Sequence, residues 1–191
     1  MNWIPEYNFI LASKSPRRQE LLKSLGIDFQ VKTKDVDENY PPEISPNDIP
    51  GYLAEKKANA FSNELNNNDL LITADTIVVL NGNVLEKPAD YDHASQMLRA
   101  LSGKVHEVIT GVCLSSTTKS VVFSSSTQVW FKELTDAEID YYINTFKPYD
   151  KAGAYGIQEW VGAIGISHIE GSFYNVMGLP LQKLYEEIQK F

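Results

Sequence analysis

Two rhythms of apolar residues alternate along this chain: nearly continuous runs that suit buried strands, and runs spaced three or four apart that suit helices with one buried face. Tyr7 to Ser13 reads as a short buried strand, and Pro16 to Leu25 as a helix stopped by Gly26. Ile27 to Val36 is extended, and Asn39 to Pro50, with four prolines, is a loop. A helix is predicted from Gly51 to Leu65, then a turn at Asn66 to Asp69. Leu70 to Leu80 is a β-rich run. The Asn81-Gly82 pair behind it is a strong hairpin signal, with Val84 to Glu86 as the return strand. A helix is predicted over Tyr91 to Leu101, closed by Ser102-Gly103, and paired strands over Val105 to Leu114 and Val121 to Lys132. Thr135 and Glu138 have the spacing of a capping box, which starts a helix running to Phe146. Beyond Gly153 and Gly156, strands are predicted at Ala163 to Ile169 and Ser172 to Met177, and Pro180 opens a last helix. Strands and helices interleave with hairpins among them, so the predicted class is a mixed α/β sheet.

Composition narrows the function. The chain has 191 residues, 43% of them hydrophobic and 22% charged, which suits one globular domain spanning the whole chain. A single cysteine, Cys113, excludes an internal disulfide, and no Cys/His cluster has zinc-ligand spacing. Met1 to Tyr7 has no basic stretch followed by an apolar core, and the apolar runs are too short to span a bilayer. The expected setting is the cytoplasm, with no membrane partner. A net charge of −8 argues against a nucleic-acid partner, which calls for a basic stripe. A small anionic ligand stays open, because a few cations can be focused at one place.

Two segments carry candidate chemistry. In Ser13-Lys14-Ser15-Pro16-Arg17-Arg18, Ser15 suits the N-cap and Pro16 the first helical position. Arg17 and Arg18 then fall in the first turn, where the helix dipole disfavours cations. A bound phosphate would relieve that conflict and use the free N–H groups; the alternative is that both arginines point into solvent. The second segment is Asp75-Thr76, which interrupts the apolar strand. A carboxylate there is costly unless it is paired or metal-bound. With Leu80 opposite Asn83, counting outward sets Lys87 opposite Thr76, beside Asp75. A structural ion pair and a site carboxylate beside a phosphate-binding lysine both fit. Leu53, Lys57 and Phe61 share one helix face, so Lys57 lies on the apolar stripe and Lys56 about 100° away. Snorkelling would explain Lys57 without function. Asp35, Asp37 and Glu38 form an acidic group, one member of which could share a magnesium ion with Asp75. His93, His106 and His168 lack any triad context and read as structural.

The blocks Leu11-Ala12-Ser13-Lys14-Ser15-Pro16-Arg17-Arg18-Gln19-Glu20-Leu21-Leu22, Ala74-Asp75-Thr76, Glu86-Lys87-Pro88, Leu101-Ser102-Gly103, Asp150-Lys151-Ala152-Gly153-Ala154-Tyr155-Gly156-Ile157-Gln158 and Gly171-Ser172-Phe173-Tyr174-Asn175-Val176-Met177-Gly178-Leu179-Pro180 together resemble the Maf family of nucleotide pyrophosphatases. They stand in the family's order over nearly the whole chain. The resemblance implies a Maf/ITPase-like α/β fold: an elongated mixed β-sheet flanked by helices, with two lobes around a nucleotide-binding cleft, usually as a homodimer. It implies hydrolysis of a nucleoside triphosphate between the α- and β-phosphates with a divalent cation, Mg2+ or Mn2+. Residue by residue, Asp75 matches the catalytic carboxylate. Glu38 matches an acidic site residue that would share the metal with Asp75. Ser13, Arg17, Lys57 and Lys87 match phosphate-side residues, which Arg18 would join. Arg17, Thr76 and Gln158 match the subgroup acting on dTTP and UTP, with modified pyrimidine nucleotides as further candidates. The roles implied are nucleotide-pool sanitation and cell-division arrest. A regulatory protein that binds nucleotide without turnover is the rival reading, and Asp75 speaks against it, since a pure anion binder gains little from a buried carboxylate.

Overall fold

The computed structural model describes residues 4–191; the part of the N-terminal reading that concerns Met1 to Trp3 lies outside them. Seven strands form one mixed sheet: β1 (Asn8–Leu11), β2 (Phe29–Val31), β3 (Asp69–Leu80), β4 (Asn83–Leu85), β5 (Val105–Ser115), β6 (Ser120–Phe131) and β7 (Ile166–Glu170). The order across it is β2-β1-β3-β5-β6-β7, with β4 hydrogen-bonded to β3 off that path. β1 runs parallel to both β2 and β3, whereas β4 on β3 and β7 on β6 are antiparallel. The helices are α1 (Pro16–Ser24), α2 (Ile49–Asn59), α3 (Tyr91–Leu101), α4 (Asp136–Phe146), α5 (Trp160–Gly165), α6 (Phe173–Met177) and α7 (Leu181–Lys190). Among the described residues, no helix is long and apolar enough to cross a membrane.

The chain divides into two compact units, and the division cuts through β3, β5 and β6. The first comprises residues up to Asp75, Thr110–Ser125 and Gly178–Phe191; the second comprises Thr76–Ile109 and Ser126–Met177.

In the first unit, Ile10, Leu71, Ala54, Ala58, Phe61 and Cys113 make a core that packs α2 on the sheet. The approach is close because Gly111 on β5 has no side chain: a Cβ there would come within 2.2 Å of the Gly51 nitrogen and the Pro50 carbonyl carbon. A second tether, 2.6 Å from the Thr73 hydroxyl to the Ala54 carbonyl, joins β3 to the middle of α2. Side chains alternate along a strand, so Asp75 shares with Thr73 the face that α2 covers. The helix ends earlier than the predicted Leu65. After Asn59 the bonds shorten to the three-residue kind, Phe61 to Ala58 and Ser62 to Asn59, while Phe61 stays buried.

In the second unit, α3, α4 and the apolar ends of β3, β5 and β6 enclose a core that includes Val78, Leu98, Leu101, Val129, Ile139, Tyr142 and Ile143. The expected capping box is present: the Thr135 hydroxyl accepts from Glu138 N–H, and the Glu138 carboxylate accepts from Thr135 N–H. The hairpin has the predicted register, Leu80 opposite Asn83, with positive φ at Asn81 and Gly82. One predicted strand is corrected in part and another in full. Trp160–Gly165 is helical, because Glu159 starts a turn and residues four apart, Val161 and Gly165, are buried together. Phe173–Met177 is a one-turn helix, begun where the Ser172 hydroxyl accepts from Asn175 N–H. Of the strand predicted at Ala163 to Ile169, residues 163–165 belong to α5, while residues 166–169 are strand within β7.

Candidate active site

The first unit gathers most of the residues singled out from the sequence. Pro16 opens α1 behind Ser15, as predicted, but the Ser15 side chain makes no cap bond. Ser13 performs the local ordering instead. Its buried hydroxyl accepts from Ser15 N–H at 3.1 Å, and its carbonyl accepts from Gln19 Nε2 at 3.2 Å. Arg17 and Arg18 follow in the first turn with no acidic residue among them.

Arg18 has a structural duty the sequence did not announce. Its Nε donates to the Gly178 carbonyl at 2.8 Å and a terminal nitrogen donates to the Ala74 carbonyl at 2.9 Å. The guanidinium thus ties α1 to the residue before Asp75 and to the chain entering α7. Burial draws its pKa below the ordinary arginine value; the nearby charge of Asp75 opposes that, Arg17 adds to it, and Glu38 opposes it again. Arg18 and Asp75 are near enough to sense each other's charge.

Asp75 and Lys57 are 13% and 16% exposed and meet at 2.6 Å. The same Lys57 nitrogen reaches Glu38 at 2.7 Å, whose side chain is about half exposed. Lys57 does not snorkel; its ammonium turns onto the strand carboxylate of Asp75. One ammonium therefore holds two carboxylates from distant parts of the sequence. Neighbouring Lys56 points elsewhere, 2.8 Å from the Asn39 carbonyl and 3.6 Å from Asp37. Lys14 pairs with Asp35 at the exposed surface, and that bond keeps the Asp35 carboxyl below its usual range. The acidic loop thus presents each carboxylate to a different lysine, and only Glu38 joins Asp75.

The remaining candidates belong to the second unit. Thr76 follows Asp75 in β3 and is half-buried. The β3–β4 ladder stops at Val78 opposite Leu85, so pairing does not carry on to Lys87. Instead, the Glu86 carbonyl accepts from Gly153 N–H at 3.1 Å, which draws the chain towards the loop after α4, and Lys87 is exposed. Gln158 is exposed on that loop, in a turn closed by a 3.0 Å bond from Glu159 N–H to the Gly156 carbonyl. The histidines have ordinary duties. His106 is buried 2.7 Å from the Tyr155 hydroxyl and stacks on Phe131, and burial lowers its pKa to about 4. His93 accepts from Ala89 N–H, and His168 meets Trp130 edge-on.

This order of blocks is matched by the family model described as Maf-like protein, over residues 8–191. The chain belongs to the Maf family. The family match spans both compact units. A dTTP/UTP pyrophosphatase of Phocaeicola vulgatus is 54% identical over 188 residues, 98% of this chain and 97% of that protein. Proteins of the same name from Bacteroides thetaiotaomicron and Flavobacterium johnsoniae are 52% and 50% identical, covering 98% and 96% of this Maf chain and 97% and 94% of theirs. Among solved structures, the Staphylococcus aureus Ham1 protein matches with a TM-score of 0.48 and 16% identity, over 65% of this chain and 71% of that one.

The tether through Arg18 leads to a prediction. Arg18→Met deprives two backbone carbonyls of a charged donor and is expected to lower unfolding stability by about 2–3 kcal/mol. Denaturant unfolding of the purified variant checks this; an unchanged midpoint would show that the tether contributes nothing.

Proposed function

We propose that this chain hydrolyses dTTP and UTP to the nucleoside monophosphate and pyrophosphate. The observation that carries the reading is the Asp75 carboxylate held by Lys57 together with Glu38. A buried carboxylate with a second one close by suits proton removal from water near a phosphoryl group better than it suits simple anion binding. The choice of nucleotide rests on the names of relatives about half identical along nearly their full length.

Asp75 removes the proton from the attacking water. Arg17, from the first turn of α1, meets the phosphate chain with Ser13, and Arg18 adds its charge while holding the frame. Lys57 and Lys87 neutralise charge on the phosphates and on departing pyrophosphate. Asp75 and Glu38 are the pair that would hold Mg2+ or Mn2+. The donor set fits: it is all oxygen, and both carboxylates already converge on one cationic nitrogen. A small divalent ion of this kind keeps several water ligands, so two carboxylates would suffice to hold it. When bound, such an ion polarises phosphate oxygens and offsets their charge. Thr76 and Gln158 select the base: an amide offers a donor and an acceptor, as the imide edge of thymine and uracil does. The enzyme works in the cytoplasm as a homodimer, in keeping with the family resemblance, and modified pyrimidine nucleotides fall within the same chemistry.

A panel of nucleoside triphosphates with Mg2+ or Mn2+, followed by pyrophosphate release, tests the reading. The kcat/KM for dTTP and UTP is expected to exceed that for ATP and GTP by about tenfold to a hundredfold, the worth of one or two unmatched buried polar groups. A purine as best substrate overturns the base assignment. Asp75→Asn keeps the size of the side chain and removes its charge, and is expected to lower kcat by about 10²–10⁴. Near-normal release by the folded variant would remove Asp75 from the chemistry.

A further inference from the structure

The turn that carries Gln158 is held by a buried network. Gly156, Ile157, Gln158 and Glu159 make a four-residue turn closed by the bond from Glu159 N–H to the Gly156 carbonyl. Ile157 is buried beneath it and Gln158 stands exposed. Both ends of the turn meet one oxygen, the hydroxyl of Tyr142 on α4. It accepts from Gly156 N–H at 3.0 Å and donates to the Glu159 carboxylate. Tyr142 is fully buried and stacks on Phe146 with ring centres 5.2 Å apart, so the hydroxyl has little freedom to follow a moving loop. The other Glu159 oxygen lies 3.0 Å from the ammonium of Lys151, itself buried and 2.8 Å from Asp150.

The packing leaves the turn little room. A Cβ on Gly156 would sit 2.9 Å from the Glu159 carboxyl carbon and 3.1 Å from the Gln158 amide nitrogen. A Cβ on Gly162 would come within 1.8 Å of the Ile157 carbonyl oxygen, so α5 presses on the turn from its far end. Exposed turns are ordinarily adaptable. This one is bonded at both ends to a core side chain.

We propose that Tyr142, with Glu159 and Lys151 behind it, is a positioning residue that pre-organises Gln158 for base selection. The proposal rests on the reading of Gln158 as a base-selecting residue. Discrimination between bases depends on a donor and an acceptor standing in fixed places. A freely moving amide must be ordered at the moment of binding and can rearrange to meet the wrong base. The hydroxyl at the hinge of the turn removes that freedom beforehand. Tyr142 touches no substrate in this scheme; it acts through the turn.

The test compares Tyr142→Phe, Gln158→Ala and the double variant, with kcat and KM measured for dTTP, UTP, ATP and GTP well below each variant's melting temperature. Tyr142→Phe retains the buried ring and its stack and removes only the oxygen. The preference for dTTP over ATP is expected to fall about tenfold, chiefly through a higher KM for dTTP, with kcat for dTTP changed less than about threefold. Glu159→Gln, which can still accept from the hydroxyl, should retain most of the preference. In the Gln158→Ala background, Tyr142→Phe should cause no further loss. A purely structural Tyr142 would lower the melting temperature and leave the ratio alone, and an unchanged ratio overturns the proposal. If Gln158→Ala itself leaves the preference intact, the base-selecting reading fails and the proposal falls with it. If Gln158→Ala lowers the preference and Tyr142→Phe does not, only the positioning role is lost. Should Tyr142→Phe fail to fold, Glu159→Ala removes the acceptor at the partly exposed end of the network and is judged by the same ratio.

Discussion

A single lysine nitrogen lies against two carboxylates in the first unit, and the rest of the candidate site depends on that arrangement. Lys57 comes from α2, Asp75 from the middle of β3 and Glu38 from the loop between β2 and α2. Two carboxylates that converge without a cation between them repel each other, and burying either one unpaired is costly. Removing one partner of such a pair typically costs about 3–5 kcal/mol, because the other charge is left stranded. The ammonium therefore offsets the burial of Asp75 and holds Asp75 and Glu38 within reach of one cationic nitrogen. The glycine on β5, where any side chain would strike the helix backbone, lets α2 lie close to the sheet.

The arginines divide the labour at the other edge of the same region. Arg18 turns inward to the carbonyls of Ala74 and Gly178 and fixes the strand just before Asp75. Arg17 is its neighbour in the first turn of α1 and carries the same charge. Two adjacent cations at a helix start are unfavourable for an isolated helix. Here one of the two, Arg18, is bound into the frame through two backbone carbonyls.

Much of this was legible in the sequence wherever the signal is local. Asn81-Gly82 fixed the hairpin register because only a turn with two positive φ values joins those strands. Thr135 and Glu138 announced α4 through a reciprocal cap. Asp75 stood out because a charge within an apolar strand needs a partner, whereas Lys57 on its apolar stripe was equally open to snorkelling, and only the fold pairs it with Asp75. What the sequence concealed is long-range or a balance of weak preferences. The bond from Arg18 to Gly178 spans 160 positions, and no pattern near either residue reports the other. Lys87 could not be placed by counting along a ladder that stops two residues short of it. Residues 163–165 and Phe173–Met177 are short segments, and a starting turn at Glu159 and a serine cap decide for helix over strand. Tyr142 looks from the sequence like one more apolar residue on α4; only the structure reveals that its hydroxyl joins both ends of the Gln158 turn.

The central claim is that Asp75 and Glu38, gathered by Lys57, form the ion-binding carboxylate pair of the reaction. Crystals of the full chain soaked with Mn2+ and a non-hydrolysable dTTP analogue test it directly through the anomalous signal of manganese. The account predicts a peak between the Asp75 and Glu38 carboxylates, with Lys57 displaced from at least one of them towards the phosphates. A well-occupied manganese site elsewhere on the same nucleotide, with Lys57 still bridging both carboxylates, would contradict it.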